Sequence, residues 1–163
     1  HVSDNKIRSD SMNASREIEN LIYRYAELID RGDLEGVAQL FSHGEIASTA
    51  HNTCHTGYQE VLELYQKSCR IYPDSGTPKT RHLTTNVIVE VAEAGLEGSA
   101  RACFTVLQAT DNLPLQPIIV GRYEDRFRLA TEGWEFARRE MFIDLVGDCS
   151  AHLLYPVSSV QGR

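Results

Sequence analysis

Apolar residues in "SREIENLIYRYAELID" fall at Ile18, Leu21, Ile22, Tyr25, Leu28 and Ile29. That is the spacing of a helix packed along one face. Asn13 or Ser15 can cap its start and Gly32 can end it in a left-handed turn. Asp33 can cap a second short helix, "LEGVAQLFS", with Val37, Leu40 and Phe41 inward. "GEIASTA" suits a short strand. "GYQEVLELYQKSC" returns to helical spacing with Val61, Leu62, Tyr65 and Cys69 on one side. The loop "RIYPDSGTPK" then breaks regular structure with two prolines and a glycine.

From there the period changes from helical to alternating. "LTTNVIVEVAE" sets Val87, Val89 and Val91 on one face, and "SARACFTVLQAT" and "PIIVGRYEDRFRLA" follow as long strands. "TEG" is a hairpin turn, and "WEFARREMFIDLVG" is the last strand. Three helices followed by a run of long antiparallel strands predict an α+β domain, with the helices on one side of a strongly curved, mostly antiparallel sheet. A sheet bent around helices leaves an open-ended cone, a ready pocket for a small apolar molecule. The expected limits are a mobile N-terminal arm at 1–12, one domain at 13–150 and a C-terminal tail at 151–163.

Composition narrows the partners. The chain has 163 residues with a formal net charge of −7, which argues against a nucleic-acid partner, since phosphate binding needs a basic surface. No apolar run approaches the ~18 residues of a membrane span. The polar start "HVSDNKIRSD" has no secretion-type apolar region, so a cytoplasmic protein with no membrane partner is expected. The cysteines, Cys54, Cys69, Cys103 and Cys149, form no CxxC pair and are expected as thiols rather than disulfides. "HNTCHT" brings His51, Cys54 and His55 together, but a structural zinc site takes four ligands and there is no second cluster. A polar loop and no metal are expected there.

The pieces "EIENLIYRYAELIDRGD", "TRHLTTNVIVEV", "GRYEDRFRL" and "GWEFARRE" resemble, in order and spacing, the SnoaL-like branch of the nuclear transport factor 2-like superfamily, whose fold is an α+β cone. The resemblance spans roughly residues 14–147. Scytalone dehydratase, the bile-acid 7α-dehydratases and hexachlorocyclohexane dehydrochlorinase are cofactor-free lyases of that superfamily. In the latter two, a Tyr or Lys stands five residues before an Asp on the first helix. A His opens the first long strand, and an Arg follows the Trp of the last strand by five. The same spacings here select Tyr25, Asp30, His82 and Arg139. Thr80 stands where the dehydrochlorinase has a cysteine, and no counterpart of scytalone dehydratase's second active-site histidine is expected.

The resemblance implies a cofactor-free, dehydratase-like lyase or isomerase acting on a small hydrophobic ring compound. His82 would be its base, since a histidine titrates near working pH. Asp30 would fix the imidazole tautomer, Tyr25 would donate a hydrogen bond, and Arg139 would stabilise a developing anion. Phe41, Tyr65, Phe104, Trp134 and Phe142 are the expected apolar wall. Two alternatives share the fold: a non-catalytic subunit like the β subunit of an aromatic-ring-hydroxylating dioxygenase, and a polyketide-cyclase-like or ligand-binding member. The resemblance also implies a homo-oligomer, dimer or trimer.

Three geometric conditions follow. Five residues of helix turn through about 500°, so Tyr25 and Asp30 diverge by roughly 140° and meet one pocket only over the helix end. Strict alternation points His82 away from the face of Val87, Val89 and Val91, so an inward His82 requires a bulge near "TT" or a place in the loop. Alternation from Trp134 and Phe136 favours Arg138 as the inward arginine, whereas the family spacing selects Arg139, again through a bulge.

Overall fold

The computed structural model describes residues 2–157, so His1 and residues 158–163, parts of the expected arm and tail, lie outside the described residues. Three α-helices, α1 (Val2–Asp30), α2 (Leu34–Leu40) and α3 (Gly57–Ser68), pack on an open six-stranded mixed sheet. Its strands are β1 (Glu45–Ser48), β2 (Thr53–Thr56), β3 (Thr80–Val91), β4 (Glu97–Thr110), β5 (Leu113–Ala130) and β6 (Gly133–Val146). Their order is β2-β1-β6-β5-β4-β3. Only the β1–β6 pairing is parallel.

Helix α1 begins well before the expected cap. Residues 2–12 contain no proline or glycine to stop it, so they continue the helix rather than form an arm, and Asn13 and Ser15 stand inside it. Its inward face is Ile18, Ile22, Tyr25, Ala26 and Ile29, all buried. Its end follows the Schellman pattern: the Asp33 amide donates to Leu28 O at 2.9 Å and the Gly32 amide to Ile29 O at 2.9 Å. Gly32 has φ +74, and a Cβ there would meet Gly76 O at 2.2 Å. Glycine is therefore required by both conformation and space. Asp33 caps α2 as expected, accepting from the Gly36 amide at 2.8 Å.

"HNTCHT" is not a loop throughout. Thr49–His51 form a 3₁₀ turn, Asn52 takes a left-handed φ of 54, and Thr53–Thr56 pair antiparallel with β1. At the other end, residues 149–154 dock on the body and do not trail away. The Arg70 amide donates to His152 O at 2.8 Å and the Leu154 amide to Ser68 O at 3.0 Å.

Of the register shifts in the sheet, two set the direction of candidate site residues. On β3 the pairing passes from Thr85↔Cys103 to Ile88↔Arg101, three residues against two, with Asn86 at φ 55. His82 and Thr84 therefore share the inward face with Val87, Val89 and Val91, which unbroken alternation forbids. On β6 the pairing passes from Phe127↔Phe136 to Arg126↔Arg138, leaving Ala137 extra. Phe136 and Arg139 are then both fully buried, while Arg138 turns out to Glu45 and Glu140.

The core between helices and sheet is aromatic. Phe41 stacks on Phe136 at 4.6 Å, and Phe104 stacks on Tyr123 at 4.5 Å. Among the described residues, no helix is long and apolar enough to cross a membrane.

Asn86 tests the β3 bulge. Asparagine tolerates a positive φ and glycine prefers it, whereas a β-branched residue is strained there by roughly 1–2 kcal/mol. Asn86→Val is expected to lose stability of that order in urea unfolding, and Asn86→Gly to lose far less.

Candidate active site

A cavity of about 460 Å³ opens beneath the C-terminal end of α1. Its walls come from α1 (Tyr25, Ile29), α3 (Leu64, Tyr65, Ser68), the inward faces of β3–β6 (His82, Phe104, Val106, Ile119, Tyr123, Met141, Ile143) and the segment His152–Val157. Because the cavity sits over the helix end, Tyr25 and Asp30 both reach it despite their angular separation. Tyr25 lines the cavity directly, and Asp30 reaches it through His82.

Asp30 binds the mouth of β3 with both carboxylate oxygens. Oδ1 accepts from His82 Nδ1 at 2.6 Å and from Thr80 Oγ1 at 2.9 Å, and Oδ2 accepts from the His82 amide at 2.8 Å. Burial works against the charge on Asp30, but the His82 ring, its amide and Thr80 outweigh burial and hold the carboxyl below the usual range. An ionised carboxylate only accepts, so His82 Nδ1 must carry a proton. That leaves Nε2 as the nitrogen His82 presents to the cavity. The side chains of His82 and Asp30 are 8% and 13% exposed.

Tyr25 and Tyr65 join hydroxyl to hydroxyl at 2.5 Å. Burial raises both phenols, with Arg139 opposing, so both are neutral at ordinary pH. One hydroxyl donates to the other, and both residues line the cavity.

Arg139 is inward, as the family spacing requires, but it does not reach the cavity wall. Its guanidinium lies 3.6 Å from the Tyr123 ring centroid and 4.3 Å from that of Tyr25. It donates through Nε and one Nη to Asp125 Oδ1 and Oδ2, both at 2.8 Å. Burial pushes the Asp125 carboxyl up and the guanidinium opposes this. The two-pronged contact is that of a guanidinium with a carboxylate. Arg139 therefore acts behind the two tyrosines, and the expectation that it faces a leaving anion is corrected.

Of the expected apolar wall, Tyr65 and Phe104 line the cavity. Phe41, Trp134 and Phe142 do not. Phe41 is wholly enclosed between Phe136 and Tyr25. Trp134 packs at the far end of the β5–β6 hairpin near Gly98. Phe142 faces outward, where Arg122 lies 4.7 Å over its ring.

Three further histidines reach the cavity: His51 and His55, which the sequence groups in "HNTCHT" and assigns to a polar loop, and His152 of the C-terminal segment, which carries no sequence signal. His152 sits edge-on to His82, with ring centroids 6.2 Å apart. Burial, and His82 beside it, push His152 down to about 4, with Asp30 opposing. Among the described residues no cluster of His, Cys, Asp and Glu is arranged to hold a metal ion.

Two of these groups, His152 and Asp30, contribute to the acid stability. Unfolded, His152 titrates near 6.5; folded, near 4. In that window the unfolded chain binds more protons, so stability falls as pH drops from 6.5 towards 4, by roughly 3 kcal/mol in all. Asp30 adds a lower limb: its depressed carboxyl contributes stability that is lost only as pH falls through its folded value. Urea unfolding from pH 7 to 3 is expected to show both limbs, and His152→Gln to flatten the upper one.

The same architecture occurs in proteins of known structure. An NTF2-like protein with a cystatin-like fold from Novosphingobium aromaticivorans matches with a TM-score of 0.74 at 24% identity, over 93% of this chain and 94% of its own. A structure from the same organism described as a candidate scytalone dehydratase matches at 0.69 and 23% identity, over 98% of both chains. Another, described as a candidate aromatic ring hydroxylase, matches at 0.64 and 20%, over 91% of this chain and 94% of its own. At these identities the likeness is one of fold. No curated protein matches the chain in sequence. The SnoaL-like domain model matches residues 10–140. Three helices on an open, curved sheet, together with that match over most of the chain, establish that the protein belongs to the SnoaL-like family.

Proposed function

We propose that this protein is a cofactor-free lyase or isomerase that removes a proton from a small hydrophobic ring compound and expels a neighbouring group. The observation that carries this is the His82–Asp30 contact of 2.6 Å at the wall of a largely apolar cavity. His82 Nε2 takes a proton from a carbon next to the one bearing the leaving group. The C–H electron pair becomes the new double bond and the C–O bond breaks. The leaving oxygen receives the proton back from the imidazolium and departs as water. No electrons enter or leave the system, so the step balances without a redox group or metal.

Asp30 stabilises the imidazolium and keeps Nδ1 protonated throughout. The Tyr25–Tyr65 pair supplies a neutral donor for the departing oxygen. The Arg139–Asp125 pair holds the rings of Tyr25 and Tyr123 from behind. A scaffold subunit has no use for a carboxylate-oriented histidine at a cavity wall, which favours the lyase over the dioxygenase-subunit alternative. The four cysteines are free thiols, in accord with a cytoplasmic location.

His82→Ala is expected to lower turnover by about 10²–10⁴-fold on a substrate found by screening ring alcohols and ring halides. Asp30→Asn should cause a loss of similar order, because the tautomer is no longer enforced. Wild-type turnover in His82→Ala would rule out this base.

We also propose a homo-oligomer built on the outer sheet face, where Leu83, Ile88 and Leu145 are 42%, 45% and 65% exposed. Light scattering at micromolar concentration is expected to give a dimer or trimer of the 18.3 kDa chain. A monomer would contradict this.

A further inference from the structure

His152 is held from both sides, and its ring has no task in the fold. Its amide donates to Cys149 O at 3.0 Å and its carbonyl accepts from the Arg70 amide at 2.8 Å. Next to it, the Ala151 carbonyl accepts from Tyr72 Oη at 2.6 Å and from Gln108 Nε2 at 3.0 Å. The backbone is thus fixed by four hydrogen bonds, while the residue is buried and its imidazole lines the cavity beside His82. Among the described residues, its Nδ1 is sealed from solvent without a hydrogen-bond partner.

A sealed nitrogen with no acceptor is a poor place for a proton, because an orphaned buried N–H is rarer than an under-satisfied acceptor. The proton then belongs on Nε2, which gives the ring an N–H to offer a ligand. We propose that His152 is a second substrate-binding group: a neutral Nε2–H donor for the carbonyl or hydroxyl oxygen of a ring compound whose acidic C–H faces His82. This rests on His82 being the base. The two imidazoles then differ in role. His82 Nε2 accepts, because Asp30 holds the proton on the other nitrogen. His152 Nε2–H donates, because its other nitrogen is buried without a partner.

The charged and titratable groups that face His152 are His82 and Asp30. The ring stays uncharged at neutral pH and does not compete with the His82 imidazolium for Asp30. A neutral donor placed on a carbonyl polarises it and makes the adjacent C–H more acidic. The substrate class narrows accordingly, from any hydrophobic ring compound to one that carries, besides the leaving group, a carbonyl next to the carbon that loses its proton. A cavity of about 460 Å³ has room for a two-ring molecule.

The test compares two probes of one shape, 1-tetralone, a bicyclic ketone, and tetralin, the same rings without oxygen, by NMR titration. The wild-type protein is expected to bind 1-tetralone at least tenfold more tightly. His152→Phe should lose that preference while keeping its affinity for tetralin, which also shows that the variant is folded. A preference that survives in His152→Phe overturns the proposal, as does its absence in the wild type, including failure of both probes to bind. If His152→Phe does not fold, the wild-type long-range ¹H–¹⁵N spectrum decides. A neutral ring protonated on Nε2 at pH 7 is expected, and an imidazolium or an Nδ1–H tautomer overturns it. His82→Ala should retain the ketone preference. Turnover that ignores His82 would sink the base while leaving the His152 result standing, so the two failures are distinguishable.

Discussion

Strand alternation places opposing demands on β3 and β6. On β3, Val87, Val89 and Val91 must face the helices to build the core, and His82 must face the same side to meet Asp30. Five residues separate His82 from Val87, an odd number, so a regular strand can satisfy one demand but not both. The bulge at Asn86 adds the residue that reconciles them. On β6 the same problem arises between Phe136 and Arg139, three apart, and the extra residue at Ala137 resolves it. The position of every inward polar group on these two strands depends on those insertions.

Asp125, buried, and Asp30, half-buried, are treated oppositely by the fold. Asp125 is closed off: both of its oxygens are taken by Arg139, and aromatic rings cover the guanidinium. A buried pair of this kind gives little net stability, but losing one partner strands the other's charge. Asp30 is instead tied to a ring whose far nitrogen remains available. Its three hydrogen bonds all come from the first turns of β3, so the group that orients His82 also fixes the strand mouth that carries it. Position and protonation are set by one carboxylate.

Much of this was legible in the sequence. The helix faces follow from apolar spacing, and the Asp30–His82 pairing is implied by the resemblance to the SnoaL-like branch. Once the resemblance has selected His82 and Arg139, parity calls for a bulge or a loop position at the first and a bulge at the second. What escaped has physical reasons. Phe142 alternates correctly with its neighbours, but which side of β6 is inward changes at Ala137, upstream of it. Phe41 and Trp134 are apolar and largely buried, and no pattern separates core from cavity wall. Arg139 was placed on the right face, but its depth is decided by Asp125 and two tyrosine rings that only the folded chain brings together. His152 belongs to a segment with neither helical nor strand period. It reaches the cavity through backbone hydrogen bonds to Arg70 and Cys149 that leave no mark in composition.

The cavity is walled by Tyr25 from the first helix and by the segment His152–Val157 at the far end of the described chain. Its walls thus join the end of the first helix to the last described segment, so it is complete only when both are docked. A molecule that needs all of these walls binds the folded chain in preference to the unfolded one, and its binding energy is added to the cohesion of the whole domain. At a free concentration a hundred times its dissociation constant that amounts to about 2.7 kcal/mol. The heat resistance of the protein is therefore a gauge of what occupies it, and any molecule that fills the cavity registers as a rise in melting temperature, without turnover.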